Sequence, residues 1–514
     1  MSAQAPHQNV DMNDADSDHS DAMLDPTEAD EEIASDEDAP MDSDDDEALQ
    51  EIQLHNDSVA HFDAHKESIF CIAQHPVHPQ IIATGGGEGE NEDEIGIGYV
   101  FDATPPEAPV LPASYQSNPQ PVERASLPPL YKLTGHTASI GSITYTHPKG
   151  QYLCTGGLDG SLRVWQTDPS GRKYRPLASA AEVEEINWIS ACPHPGHPNT
   201  IALGAKDGSV WVYSINAADK TSPLTIVQTY YIHTEACTAG AWSPDGRLLA
   251  TVSEDASFYA WDVWGEAAAA GLAPAQGSQA VVSLTAQDER FKVEGGLYSV
   301  AVSPNGAFAA VGGAEGHVRI ISLPRIGAES SSSSGSVKAA GARAKAGAGG
   351  GKQSAGQAGQ ILASLKAQTD DVVTLSFSAP PSTLLAAGSV DGSIVLFDTA
   401  HRFAVRRHIP EAHAEANEEH AEENEEEKAV VKVEFVRDVP GGEWLLTSCG
   451  SDGVVRRWDA RGGTAAAAKG LVGEWRGHRG GGEGGLVQGF VQGGGRWIVT
   501  AGDDGVALVF DAKV

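Results

Sequence analysis

The chain has 514 residues, with 34 Lys and Arg against 71 Asp and Glu, which gives a formal net charge of −37. Such a charge disfavours binding to nucleic acid and to anionic membrane surfaces, and it favours a basic protein partner. The chain contains no run of 18 consecutive apolar residues, so no transmembrane helix is predicted. The N-terminal residues lack the basic and apolar regions of a secretory signal. The five cysteines show no CxxC spacing, so we expect a reducing compartment: the cytoplasm, with the nucleus as the alternative.

The N-terminal segment differs in composition from the rest of the chain. Residues 1–51 contain 19 acidic residues and no Lys or Arg. A segment this charged and this poor in large apolar side chains cannot offset its ordering entropy, so residues 1–53 are predicted to form a disordered acidic tail. From residue 54 onward, short β-branched and aromatic runs alternate with Gly, Asp, Asn and Pro clusters. This pattern predicts an all-β domain over residues 54–514.

One sequence pattern recurs along the predicted β domain: a small-residue strand, an Asp-Gly turn, and an aromatic or apolar strand. An interrupted first copy, with an acidic insertion at its turn, ends at Phe101. The other seven copies end at Trp165, Tyr213, Trp261, Ile321, Phe397, Trp458 and Phe510. Eight copies in order indicate a repeat architecture in which each copy is one structural unit.

These copies resemble the blades of WD-repeat β-propellers, so the expected fold is an eight-bladed WD-repeat β-propeller of four-stranded blades. The resemblance implies a set of four polar side chains, or tetrad, in a blade: a His before the first strand, Ser or Thr on the second, Asp in the turn and Trp on the third. The complete sets are His136, Thr155, Asp159 and Trp165 in blade two, and His233, Thr251, Asp255 and Trp261 in blade four. Blade eight has His478, Thr500 and Asp504 with Phe510 in place of Trp, and blade seven has Ser448, Asp452 and Trp458 without an assigned His.

Two features resemble catalytic or metal sites. His, Thr or Ser, and Asp recur together like a nucleophilic triad, but their repetition in several blades favours a structural role over catalysis. The segments QHPVHP at 74–79 and CPHPGHP at 192–198 bring His and Cys close together. Because proline pre-sets turn geometry, we interpret them as turns rather than metal sites. We therefore expect no enzyme activity, no metal and no cofactor.

The chain ends just after the third strand of blade eight, so this blade lacks its outer strand. The unassigned segment NDSVAHFD, residues 56–63, is predicted to supply that strand and to close the ring from the N-terminal side. Flexible loops are predicted at residues 104–129, 327–359 and 411–427, the last with nine glutamates, and a further insertion lies at 265–277.

Acidic residues are predicted to gather on one face of the propeller. The loops before each first strand and the turns between the second and third strands share that face, and Lys66, Lys206 and Lys428 are its clear cations. We predict a partner-binding surface there, with simple solubilisation as the alternative. Its candidate residues are Glu67, Glu92, Asp93, Glu94, Glu185, Glu235, Glu254, Glu315, Asp370 and Asp371, together with the 411–427 run.

The order of these features resembles one WD-repeat family: the cytoplasmic ribosome-assembly proteins that act as dedicated chaperones of a large-subunit ribosomal protein of the L-ten family. This family is related to the angio-associated migratory cell protein. The acidic tail, the segment NDSVAHFDAHKESIFCIAQHP and the acidic insertion after IIATGGG carry the resemblance, with LTGHTASIGSITYTHPKGQYLCTGGLDGSLRVW in support. It implies that a monomeric propeller captures the basic N-terminal segment of the newly made ribosomal protein and contacts the pre-ribosome transiently. The alternative function is a general scaffold, such as a histone-binding propeller or a ubiquitin-ligase substrate receptor.

Overall fold

The structure is a computed structural model that describes residues 56–89, 95–105, 125–272, 280–326, 358–413, 428–437, 439–462, 470–478, 485–493 and 495–512. The predicted tail at residues 1–53 lies outside these ranges, so its disorder stays a prediction. The described residues form eight four-stranded antiparallel sheets, and the predicted eight-bladed propeller is confirmed.

The first four blades follow the chain without interruption, each running from its innermost to its outermost strand. Blade one comprises β2 Ile69–Gln74, β3 Ile81–Glu88, β4 Ile95–Asp102 and β5 Pro129–Leu133. Blade two comprises β6 Ile140–Tyr145, β7 Tyr152–Gly157, β8 Leu162–Thr167 and β9 Tyr174–Ala180. Blade three comprises β10 Ile186–Ala191, β11 Thr200–Ala205, β12 Val210–Ile215 and β13 Leu224–Tyr230. Blade four comprises β14 Cys237–Trp242, β15 Leu248–Ser253, β16 Phe258–Asp262 and β17 Ala280–Leu284.

The remaining blades have the same order until the last. Blade five comprises β18 Leu297–Val302, β19 Phe308–Gly313, β20 His317–Ser322 and β21 Ile361–Lys366. Blade six comprises β22 Val372–Phe377, β23 Leu384–Ser389, β24 Ile394–Asp398 and β25 Ala404–Ile409. Blade seven comprises β26 Val430–Phe435, β27 Leu445–Gly450, β28 Val455–Asp459 and β29 Leu471–Trp475. Blade eight comprises β30 Val487–Val491, β31 Trp497–Gly502, β32 Ala507–Asp511 and, as its fourth strand, β1 Ala60–Phe62.

The second strands are the most buried parts of the blades. All six residues of Tyr152–Gly157 and of Leu384–Ser389 are buried, whereas the outermost strand Ile361–Lys366 alternates half-buried and exposed residues. The middle strands pack against neighbouring blades on both faces and therefore consist of continuous small and apolar residues. The outer strands face solvent on one side, which explains their polar alternation.

The strand β1 closes the ring. Ala60, His61 and Phe62 pair antiparallel with Val509, Leu508 and Ala507 of β32, as expected for the segment 56–63. The Phe62 side chain is fully buried and stacks on Phe101 of blade one, with ring centroids 4.3 Å apart. The N-terminal strand thus joins the sheet of blade eight to the core of blade one.

The insertions lie between strands and leave the blades intact. Of the predicted loops, residues 106–124, 327–357 and 414–427 lie outside the described residues. The insertion at 265–277 was expected to be a loop, but its first residues form a single helical turn, α1 Glu266–Ala269. This turn arises because Asp262 accepts a hydrogen bond from the Ala268 N–H and so holds the alanine-rich segment against the end of β16. In the described residues, no helix is long and apolar enough to cross a membrane.

Candidate partner-binding face

The loops and turns that carry the predicted acidic residues meet on one face of the propeller, here called the top face. In blade three, the N–H of Lys206 in the turn donates to the Glu185 carbonyl in the loop that precedes the first strand. Blade four repeats this contact from Glu254 to Ala236, at 3.1 Å. Because each turn is bonded to the loop of its own blade, the side chains of both segments project from the same end of the sheet.

Buried polar tetrads anchor these turns. In blade two, His136 Nε2 lies 2.7 Å from Thr155 Oγ1 and its Nδ1 lies 3.1 Å from Asp159 Oδ1. The Asp159 carboxylate also accepts the N–H groups of Thr137 and Ser161. Burial tends to raise the pKa of Asp159, but these donors outweigh it and hold the pKa below its usual value. Because the Asp159 carboxylate and the Thr155 hydroxyl are both hydrogen-bonded, the tetrad of blade two links the turn to the second strand.

Blade four departs from the expected pattern. His233 Nε2 lies 2.8 Å from Thr251 Oγ1, and the Trp261 indole donates to the same oxygen at 2.8 Å. The Nδ1 atom, however, contacts Ser257 Oγ at 2.6 Å, while the nearest Asp255 oxygen is 3.9 Å away. A serine two residues after the aspartate therefore takes the contact that the pattern assigns to Asp255.

The structure also assigns the missing histidine of blade seven. His413 is fully buried, with Nε2 2.7 Å from Ser448 Oγ and Nδ1 2.8 Å from Asp452 Oδ1. It lies at the start of the 411–427 acidic run, 35 residues before Ser448. In blade two, the corresponding His136 and Thr155 are separated by only 19 residues. Blade one likewise places His65 Nε2 2.9 Å from Thr84 Oγ1.

Most of the predicted binding residues lie on the top face. Glu92, Asp93 and Glu94 lie outside the described residues. The side chains of Glu67, Glu235, Glu254, Glu315 and Asp370 are exposed, and those of Glu185 and Asp371 are half-buried. Their role in binding stays a prediction.

One acidic cluster spans blades four to six. The N–H of Glu315 donates to Asp371 Oδ1 at 3.3 Å, which joins the turn of blade five to the loop before blade six. Burial raises the pKa of Asp371, and the charges of Asp370 and Glu315 act in the same direction. Burial and the carboxylates of Asp371 and Glu254 also raise the pKa of Tyr298. The contributions of the neighbouring carboxylates to these shifts have the sign expected for a locally negative potential, in addition to the larger effect of burial.

A second acidic cluster surrounds blade three. Glu182 and Glu184 are exposed beside the predicted Glu185, and Glu182 Oε2 accepts a hydrogen bond from the Tyr213 hydroxyl at 3.4 Å. Glu182 follows the outermost strand of blade two and lies outside the repeated sequence pattern, so that pattern did not identify it as a candidate.

Lysines partly neutralise both clusters, and one of these lysines was not expected from the sequence. Lys206 Nζ lies 2.5 Å from Glu185, as its place in the turn allows. Lys366, which was not among the expected cations, lies 3.0 Å from Glu315. It reaches the face because it ends the outermost strand of blade five, a position that the turn motifs do not mark. Glu254, Asp370 and Glu235 are not joined to a cation by any ion pair within the described residues.

The His-Pro segments form turns on the opposite, bottom face. His75 Nδ1 accepts the N–H groups of Val77 and His78, and His194 Nδ1 accepts the N–H of Gly196. His197 stacks on Trp264, with ring centroids 3.5 Å apart. In the described part of the chain, no three His, Cys, Asp or Glu side chains are grouped as a metal site would need.

A cavity of about 740 Å³ lies among the first strands of blades three to seven and the turns that follow them on the bottom face. Lys432 and Glu434 line it and pair at 3.1 Å, beside Arg437. The charges of these lining residues do not favour a basic ligand, so the cavity is not a second candidate for the same partner.

The buried histidines make stability dependent on pH. Burial lowers the pKa of His65 to about 3, with the charge of Lys132 acting in the same direction, and burial lowers the pKa of His75 to about 4. Well above pH 6.5, these rings are neutral in both the folded and the unfolded state, so keeping them neutral does not lower the free energy of unfolding. Below pH 6.5, the unfolded chain binds protons first, and stability falls until about pH 4 for His75 and about pH 3 for His65. We expect Tm to drop by about 5 °C between pH 7 and pH 5, as measured by differential scanning calorimetry.

Blade six supplies the control for this prediction. Gln368 occupies the position of the tetrad histidine, and its amide donates to the Ser393 carbonyl at 2.9 Å. The His65→Gln variant should therefore keep a polar side chain near Thr84 and lose part of the acid sensitivity. An unchanged slope of Tm against pH in this variant would exclude His65 as a contributor.

Comparisons with known proteins place the chain in a family. The WD40 family model (WD domain, G-beta repeat) matches residues 127–166, 224–262, 289–322 and 359–398. Human angio-associated migratory cell protein is 22% identical over 82% of this chain and 74% of its own length. The ribosome assembly protein SQT1 of Saccharomyces cerevisiae is 31% identical over 44% of this chain, and the match spans 46% of that relative.

A solved structure is similar over a longer range. The crystal structure of Chaetomium thermophilum Sqt1, bound to the N-terminus of the ribosomal protein L10, is 50% identical to this chain, with a TM-score of 0.73. The similarity covers 89% of this chain and 100% of that one. The resemblance inferred from the acidic segments and the repeat is thereby confirmed, and the protein belongs to the Sqt1 family of WD-repeat β-propellers.

Proposed function

We propose that this protein is a dedicated chaperone that captures the basic N-terminal segment of newly made ribosomal protein L10 on its top face and delivers it for large-subunit assembly. The observation that carries the proposal is the Chaetomium thermophilum Sqt1 structure with the N-terminus of L10, at 50% identity over that whole chain. The exposed carboxylates of Glu67, Glu235 and Glu254 supply the charge that a basic segment requires. The protein acts by binding rather than catalysis, as a monomer in the cytoplasm, with the nucleus as a second compartment.

The physical chemistry of the top face suits capture and release. A negative surface accelerates association with a cationic segment and makes the affinity sensitive to salt. Ribosomal RNA carries a dense negative charge and competes for the same cations, so release needs no chemical step. The 19 acidic residues of positions 1–51 add a second attractor for the same segment.

The test is affinity purification of the tagged protein during a translation pulse, with washes at low and then high salt. We expect one dominant, newly made protein, L10, that is lost at high salt. Recovery of histones or ubiquitin-ligase subunits in place of L10 would contradict the chaperone function and support a general acidic scaffold.

A further inference from the structure

An aromatic side chain stands out on the top face of blade three. Tyr231 follows the outermost strand of this blade, and its side chain is 65% exposed, more than any other large apolar or aromatic side chain in the described residues. Its neighbour Ile232 is 46% exposed. Exposed aromatic rings are costly in water and are enriched where proteins bind partners.

The Tyr231 ring is held in place from below. It makes an edge-to-face contact with Trp211, with ring centroids 5.9 Å apart and an interplanar angle of 82°. Trp211 is 8% exposed, and its indole N–H donates to Ser209 Oγ at 2.9 Å. A ring fixed in this way loses little conformational entropy when a ligand packs on it.

Carboxylates border this aromatic surface. Tyr213 stacks beside Trp211, with ring centroids 6.2 Å apart, and its hydroxyl donates to Glu182 at 3.4 Å. Glu235 is exposed on the same loop as Tyr231. Lys206, the cation of this region, is already bonded to Glu185, and in the described residues no ion pair engages Glu182 or Glu235.

We propose that Tyr231, with Trp211 behind it and Glu182 and Glu235 beside it, is a subsite that selects an arginine side chain of the basic partner segment. A guanidinium is planar and weakly hydrated, so it stacks on an aromatic ring while its N–H groups reach carboxylates. A lysine ammonium is a strongly hydrated point charge and gains less from the same surface. The inference rests on the proposed function and adds to it a residue preference and a location.

The other acidic cluster lacks this combination. Tyr298, the aromatic side chain on which the carboxylates of this cluster act, is half-buried, and its hydroxyl donates to the Gly295 carbonyl at 2.6 Å. That region offers charge without an open ring, so it attracts arginine and lysine alike. Selection between the two cations therefore belongs to blade three.

The test uses two fluorescent probes of equal charge, hexa-arginine and hexa-lysine peptides, with binding followed by fluorescence anisotropy at one salt concentration. The wild-type protein should bind hexa-arginine about three- to five-fold more tightly than hexa-lysine. Tyr231→Ala should weaken hexa-arginine binding by the same factor and leave hexa-lysine binding unchanged, whereas Tyr231→Phe should retain the preference. Ile226→Ala, at an exposed position on the outermost strand of the same blade, is the matched control and should change neither affinity.

Equal affinity of the wild-type protein for the two probes, or an equal loss of both in Tyr231→Ala, would overturn the subsite. Because Tyr231 is exposed, the Tm of each variant should match that of the wild type. The chaperone function is tested separately with L10. A preserved arginine preference without L10 capture would refute the function alone, and L10 capture without the preference would refute the subsite alone.

Discussion

Replacing Glu254 and Asp371 together by lysine should weaken binding of the L10 N-terminal segment by about a hundredfold. Both carboxylates act on Tyr298, and burial and like charges already raise the pKa of Asp371. Glu254 is exposed and is not joined to a cation by any ion pair in the described residues. The double variant therefore converts the centre of the acidic cluster of blades four to six into a basic patch. Isothermal titration calorimetry with a peptide of that segment measures the change.

The control changes the net charge equally on the bottom face. Glu266 lies in the helical turn between the third and fourth strands of blade four, and Glu443 lies in the short 3₁₀ turn Gly442–Trp444 of blade seven. Glu266→Lys with Glu443→Lys should reduce the affinity by no more than about twofold, because screening limits the effect of distant charges. An equal loss in both double variants would mean that net charge, rather than the top face, determines binding.

Salt provides a further readout of the same experiment. The wild-type affinity should fall steeply as ionic strength rises, since several exposed carboxylates contribute. The top-face variant should show a shallower dependence, whereas the bottom-face variant should retain the wild-type slope. Parallel slopes for all three proteins would be inconsistent with a contact at Glu254 and Asp371.

The fold was predictable because its determinants repeat along the chain. Each blade requires two largely buried middle strands and a tight turn between them, and these constraints impose small, apolar and Asp-Gly patterns at regular intervals. Gly157 illustrates the constraint: a Cβ there would overlap both His136 and Asp159 of the tetrad. Patterns of this kind are visible in a single sequence.

The details of the top face were less predictable because they depend on contacts between segments that share no motif. His413 could not be assigned to the tetrad of blade seven from the sequence, because a long insertion separates it from Ser448. Lys366 pairs with Glu315 across blade five, at a separation of 51 residues, through the register of the outermost strand. Tyr231 looks like the end of an ordinary strand, and only its exposure and its contact with Trp211 distinguish it.

Among the variants considered, those that remove the closure of the ring by β1 should lose the most stability. Phe62 is fully buried between blades eight and one, stacked on Phe101 and edge-on to Tyr99 with ring centroids 5.6 Å apart. Phe62→Ala should lower the free energy of unfolding by about 3–5 kcal/mol, because it removes a buried ring from a packed site. Urea denaturation followed by tryptophan fluorescence measures the difference.

Two truncations separate the role of the strand from that of the acidic tail. Deletion of residues 1–53 leaves β1 in place, so the free energy of unfolding should stay within about 0.5 kcal/mol of the full chain. Deletion of residues 1–63 removes β1 and exposes the edge of β32, from Ala507 to Val509, to solvent. An open edge of this kind pairs readily with other chains, so this variant should also aggregate, as light scattering would report. If both truncations were equally stable, β1 would be dispensable and the ring would be held by the packing of blades eight and one alone.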